Sequence, residues 1–219
     1  EYCIPEDKIE VIHNSFDLTL YEGIKGENSY RYLEKMRNNG YKVVMYVGRL
    51  TIQKGLYNLM QAFKKVVDKA PKTLLLIVGS GDQYIELLEL AAELGIGANV
   101  IFTGFQRGKE WRDAFGVCDL TVLPSVSEPF GLTPFESDAF EVPTLVSKQS
   151  GVAEVMRTAL RVDYWDIDEM ANQITAVIQN SDLQLQLTED SFKEIERLSW
   201  SDNARKFMKL YGEHAGVIA

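Results

Sequence analysis

Cysteine and histidine are scarce in this sequence. Cys3 and Cys118 stand far apart, and His13 and His214 are isolated from them and from each other. So few ligands, in no recognisable spacing, give neither a zinc site nor a disulfide scaffold. Long apolar runs are missing too: no stretch approaches the roughly 20 residues a membrane helix needs, so no transmembrane segment is expected. Basic residues are the minority, 23 against 32 acidic ones, for a net charge of −9. With no dense basic run to offset it, this balance argues against a nucleic-acid partner. Internal repeats and low-complexity stretches are also lacking. Without a disulfide pattern or a stretch resembling a signal peptide, a cytoplasmic setting is the expectation.

What is present is an ordinary globular composition. The 219 residues are 46% apolar and 25% charged, which suits one large α/β domain or a domain with helical appendages. Residues 1–41 hold a short apolar segment, Ile9–Ile12, closed by His13-Asn14-Ser15-Phe16-Asp17. A polar, weakly patterned stretch with Gly23, Gly26 and Gly40 follows, and Tyr30–Met36 reads as a short helix within a connector.

From Lys42 the pattern becomes regular. Val43–Val47, Leu74–Val78, Val100–Phe102, Leu120–Leu123 and Thr144–Val146 are short runs apolar on both faces, and Ala159–Val162 is a shorter one. Between them, Leu56, Leu59, Met60, Phe63, Val66 and Ala70 recur at helical spacing up to Pro71. Asp82 stands where it would cap a helix carrying Ile85, Leu88 and Ala92 inward. A further helix is expected around Lys109–Val117. This alternation predicts an α/β fold, a doubly wound and mostly parallel sheet covered by helices on both sides, over residues 42–165. Beyond residue 166 the strands stop. One helix is lined by Ile167, Met170, Ile174, Val177 and Ile178, and residues 183–197 give a second. A last helix carries Trp200, Ala204, Phe207, Met208 and Tyr211. Residues 166–219 are therefore expected to pack on the flank of the sheet domain.

The chemistry concentrates in Pro124-Ser125-Val126-Ser127-Glu128-Pro129-Phe130-Gly131-Leu132-Thr133-Pro134-Phe135-Glu136, between a buried strand and a helix. A strand-to-helix corner turns backbone N–H groups outward, where they hold an anion. Gly131 admits close approach of a ligand to the main chain, and Glu128 and Glu136 can accept hydrogen bonds from hydroxyls. Anion and polyol together point to a nucleotide sugar. The same residues also read as a capping box with proline at the first helical position, in which Glu136 only satisfies a backbone donor. Gly48-Arg49-Leu50-Thr51-Ile52-Gln53-Lys54-Gly55 follows the first strong strand and brings Arg49 and Lys54 to the same rim. They are either a clamp on a diphosphate or ordinary surface charges. Thr103-Gly104-Phe105-Gln106 closes the third strand, either near a nucleobase or as a plain turn. No dinucleotide or P-loop fingerprint is present, which disfavours a nicotinamide-binding domain.

These pieces resemble the C-terminal, donor-binding domain of retaining GT-B glycosyltransferases of group 1. That group includes glycogen and starch synthases and sucrose-phosphate synthases. The resemblance rests on Gly48-Arg49-Leu50 with Lys54-Gly55, on Val78-Gly79-Ser80-Gly81-Asp82, on Phe102-Thr103-Gly104-Phe105, and on Pro124–Thr133 with Glu136 completing a pair of glutamates. It spans about residues 43–155, and the closing helices match as well. Gly131-Leu132-Thr133 leans toward the synthase branch. One departure stands out: relatives carry a glycine pair before a glutamate after the fifth strand, where this chain has Gln149-Ser150-Gly151-Val152-Ala153-Glu154.

The resemblance implies roles. Arg49 and Lys54 would hold the donor's phosphates and stabilise the leaving nucleoside diphosphate, and Glu128 would bind hydroxyls of the transferred sugar; these three are the candidate catalytic residues. Main-chain groups of Phe130, Gly131, Leu132 and Thr133 would contact sugar and phosphate, Glu136 the ribose, and Gly48, Gly104 and Phe105 complete the donor site. No metal or other cofactor is implied. The implied activity is transfer of a hexosyl unit, glucose foremost, to a sugar or glycan acceptor. GT-B enzymes place the acceptor site on an N-terminal domain that residues 1–41 cannot supply. Because the chain opens on Glu1 rather than methionine, these residues are expected to be the last strand of that domain, at Ile9–Ile12, and its linker, and the chain alone is expected to be inactive or nearly so. The competing expectation is a non-catalytic nucleotide-sugar-binding module.

Overall fold

The computed structural model describes residues 4–21 and 26–215. Cys3 and Gly23 lie outside the described residues. After a short helix α1 (Arg31–Asn38), strands and helices alternate: β1 (Lys42–Val47), α2 (Leu56–Lys69), β2 (Thr73–Val78), α3 (Tyr84–Glu93) and β3 (Val100–Gly104). Then come α4 (Gly108–Gly116), β4 (Leu120–Leu123), α5 (Thr133–Ala139), β5 (Thr144–Ser147) and β6 (Leu160–Val162). Three helices close the fold, α6 (Ile167–Gln179), α7 (Ser181–Ile195) and α8 (Trp200–Ala215). The strands form one sheet in the order β3-β2-β1-β4-β5-β6, and every pairing is parallel.

Both faces of this sheet are covered, and the sequence shows why. Side chains alternate across a strand, and β1 is apolar at every buried position. Val44 and Tyr46 join Leu75, Ile77, Leu120 and Val122 in the core beneath α2 and α6. Val43, Met45 and Val47 face the other way, with Leu74, Leu76 and Val78, against Leu33 of α1 and Phe115 of α4. Helix α2 buries Leu56, Leu59, Met60, Phe63 and Val66 on one stripe, at roughly 1.5–3 kcal/mol for each such side chain.

Four local expectations give way. The inward face of α3 is not the one expected: Ile85, Leu88 and Ala92 are exposed, and Leu87, Leu90 and Ala91 are the residues it buries, because the helix starts at Tyr84 and turns that stripe toward the sheet. Asp82 does not cap α3: the helix begins at Tyr84 behind Gln83, no side chain caps it, and the Gln83 N–H is held by the Leu50 carbonyl at 3.0 Å, which fixes the cap position one residue past Asp82. Ile9–Ile12 forms no strand, and Ile9 and Val11 are exposed. The apolar stripe of α8 is not covered, because Trp200, Phe207, Met208 and Tyr211 are exposed. Helices α6 and α7 bury Met170, Ile174 and Val177, and Ile195, in the core cluster.

Candidate functional site

In an open parallel sheet the connections leaving two neighbouring strands in opposite directions part to form a crevice at the carboxyl ends. Here those neighbours are β1 and β4, and the two motif loops follow them. The loop after β1 bends back through Gly55, which holds a left-handed φ of 68°. A Cβ on Gly55 would come closer than 3.0 Å to the Pro124 carbonyl oxygen, so the two loops touch main chain to main chain.

The loop after β4 is fixed from both sides. The Val126 N–H donates to the Gln53 carbonyl at 2.9 Å, and Gln53 Nε2 donates to the Ser127 carbonyl at 2.9 Å. From the loop after β5, Gly151 N–H donates to the Glu128 carbonyl at 2.8 Å and Val152 N–H to that of Phe130 at 3.0 Å. Ser147 Oγ donates to the Ser125 carbonyl at 2.5 Å. The single glycine of that loop is accounted for: Gly151 is pressed against Pro129, with no room for a Cβ.

These contacts enclose a cleft of about 120 Å³ lined by Gly48, Arg49, Lys54, Glu128, Phe130, Gly131 and Thr133, with Tyr46 and Leu123 among the strand residues beneath. Lys54 Nζ and the Glu128 carboxylate form an ion pair inside it. Their side chains are only 19% and 21% exposed, so the pair is less screened than one at the surface. Arg49 is exposed and in no ion pair among the described residues. Tyr46 is a residue the sequence did not single out. Its hydroxyl donates to the Arg49 carbonyl at 2.7 Å, and burial, helped by the nearby Glu128 charge, pushes its phenol well above the ordinary range.

A second cleft, about 210 Å³, shares Gly48 and Arg49 with the first and extends over the end of β2 to Phe105, Gln106 and Trp111. Glu136 lies in neither. It faces a third cavity with Leu20, Tyr21, Gln106, Arg107, Trp111 and Arg112. Gln106 and Trp111 are thus common to the second and third. No capping box forms around Glu136: Leu132 precedes α5 without a side-chain cap bond. Instead the Tyr21 hydroxyl donates to Glu136 Oε1 at 3.3 Å. Burial raises the Glu136 carboxyl above its ordinary range, with the hydroxyls of Tyr21 and Thr133 opposing.

The structure therefore brings Gly48, Arg49, Lys54, Glu128, Phe130, Gly131 and Thr133 together and puts Phe105 in the adjoining cleft. Gly104 and Leu132 line none of these cavities. Gly104 serves the sheet edge, accepting from Gly79 N–H at 2.9 Å, and the Leu132 side chain is exposed. Among the described residues no group of His, Cys, Asp and Glu side chains has metal-site geometry, and no helix is long and apolar enough to cross a membrane.

A doubly wound parallel sheet with a cation–carboxylate cleft at its switch point defines a Rossmann-like ligand-binding domain. The chain belongs to the glycosyl transferases group 1 family, whose model matches residues 33–194. It is 28% identical over 214 residues to an uncharacterized glycosyltransferase of Methanocaldococcus jannaschii, covering 94% of this chain and 54% of that protein. It is 29% identical over 182 residues to the D-inositol 3-phosphate glycosyltransferase of Corynebacterium jeikeium, covering 78% of this chain and 43% of the relative. The chain thus spans about half the length of the curated relatives it matches. Its fold matches that of Anabaena HepE, solved in complex with UDP, at a TM-score of 0.76 with 22% identity over 93% of this chain and 57% of that one. Sucrose-phosphate synthase from Thermosynechococcus elongatus gives a TM-score of 0.74 at 24% identity, over 93% and 52% of the two chains.

Proposed function

We propose that this chain is the donor-binding half of a retaining glycosyltransferase that moves a hexosyl unit, glucose foremost, from a nucleoside diphosphate sugar to a sugar or glycan acceptor. One observation carries the reading: Lys54 and Glu128 meet in the switch-point cleft with Arg49 beside them. A cation held by a carboxylate that a diphosphate can replace is a site ready for an anion. The carboxylate so released is placed to accept from hydroxyls of the sugar attached to that anion. Arg49 and Lys54 then stabilise the charge that develops on the leaving diphosphate, so the chemistry at the phosphate is electrostatic. Main-chain groups from Phe130 to Thr133 border the sugar, the second cleft takes the base against Phe105, and Glu136 takes the ribose. The acceptor is bound by the other half of the enzyme.

The test uses the full-length protein with nucleoside diphosphate sugars, product configuration being read by NMR. Retention at the anomeric carbon is expected, and Lys54→Ala should lower kcat by about 10²–10³. Inversion, or turnover by residues 1–219 alone, contradicts the reading.

A further inference from the structure

Glu136 is oriented by a residue that stands outside the matched family region. Asp17 caps the turn Leu18–Leu20, its carboxylate accepting from Thr19 N–H at 3.0 Å, and Tyr21 N–H closes that turn on the Leu18 carbonyl at 3.0 Å. The Tyr21 ring then stacks on Phe16 with centroids 4.6 Å apart and meets Phe140 edge-on at 6.0 Å. Phe16 is buried against Phe135, at 5.7 Å, the neighbour of Glu136 on α5. The ring is therefore clamped by apolar contacts, and the hydroxyl emerges from that clamp only at its partner, Glu136 Oε1, 3.3 Å away. Burial and the nearby Glu136 carboxylate push the phenol up to about 12, so at neutral pH it is a donor.

We propose that Tyr21 is a positioning residue for donor binding: it holds Oε1 of Glu136 by a hydrogen bond and so orients the carboxylate to accept from the vicinal hydroxyls of a nucleotide ribose. The inference rests on the donor-site reading above and adds to it a residue from the segment that precedes the sheet. It ties the conformation of residues 14–21 to occupancy of the nucleotide cleft, because Gln106 and Trp111 border both that cleft and the Glu136 cavity.

Calorimetric titration of the chain with UDP, ADP and GDP, each beside its 2′,3′-dideoxy counterpart, tests this on the wild type, Tyr21→Phe, Glu136→Ala and the double variant. The wild type should prefer the ribonucleotide. Tyr21→Phe, which keeps the ring, should lose about 3–10-fold in affinity for it and nothing for the dideoxy form. In the Glu136→Ala background the same change should cost nothing further. A purely structural tyrosine would weaken both nucleotides alike or lower the melting temperature without touching discrimination. Discrimination that survives intact in Tyr21→Phe, or an equal loss in the Glu136→Ala background, overturns the proposal and leaves the donor site standing. Equal binding of both nucleotide forms by the wild type, or no binding at all, removes the ribose contact itself and the proposal with it.

Discussion

Replacing Gly55 by alanine tests the close approach of the two loops that make the cleft. Two costs add. The left-handed φ of 68° costs a residue with a Cβ roughly 1–2 kcal/mol. The new Cβ also collides with the Pro124 carbonyl oxygen; restoring an ordinary C···O separation needs a shift of roughly 1 Å. Overpacking that forces a backbone shift costs typically about 1–3 kcal/mol, and Pro124 is buried at the end of β4. The sum is about 2–5 kcal/mol. Gly95 supplies the control, with a φ of 69° and nothing within 4 Å of its would-be Cβ, so Gly95→Ala carries only the first cost. For a chain of this length each kcal/mol lowers Tm by roughly 2–4 °C. The melting temperature read by far-ultraviolet circular dichroism should therefore drop by about 4–20 °C for Gly55→Ala and about 2–8 °C for Gly95→Ala. Equal drops would mean that the loop bearing Lys54 is not pressed against the end of β4, and the cleft geometry would be wrong.

Three further outcomes follow from the same reasoning. Glu141 is a non-glycine residue at φ 59° just past α5, exposed, so Glu141→Gly should stabilise by about 0.5–1 kcal/mol in urea unfolding. Glu128→Gln frees Lys54 from its charged partner; nucleoside diphosphate affinity should rise a few-fold while transfer by the full-length protein falls, and unchanged affinity would deny that Glu128 competes with phosphate for Lys54. Burial raises the Asp138 carboxyl well above 3.8, with Ser191 and Thr144 opposing, and its Oδ2 has no partner. The folded state then holds a proton that the unfolded state has released, so stability is lost as pH rises from about 4 through the raised value. Asp138→Asn should flatten that slope in urea midpoints measured across this range; an unchanged slope would show that another group carries it.

The fold was legible because a central parallel strand must be apolar on both faces. Val43–Val47 and Leu74–Val78 carry that signature, and the helix between them carries the complementary stripe. The tail was legible only in part: the apolar spacing of Trp200, Phe207, Met208 and Tyr211 states that α8 is amphipathic and says nothing of what covers it. At the site, residues that follow strands and break the apolar pattern could be read, which is how Arg49, Lys54 and Glu128 came to one cleft. Tyr46 was hidden because a tyrosine in a buried run looks like core until its hydroxyl is seen to reach the Arg49 carbonyl. Tyr21 and Trp111 were hidden for a different reason: they come from segments 90 residues apart in the chain, and only packing on α5 joins them. Glu136 shows the opposite case. Its spacing fitted a capping box, but the helix starts one residue early for it, and the carboxylate meets the hydroxyls of Tyr21 and Thr133 instead.

The measurement that bears most directly on the central claim is calorimetric titration of UDP, ADP and GDP into the wild type and into the double variant Arg49→Ala, Lys54→Ala. Removing two charge-assisted phosphate contacts should weaken binding by about 2–5 kcal/mol. One nucleotide that binds the wild type and is lost in a folded double variant is the predicted result. Equal binding by the two proteins would show that the cleft between β1 and β4 does not hold the diphosphate.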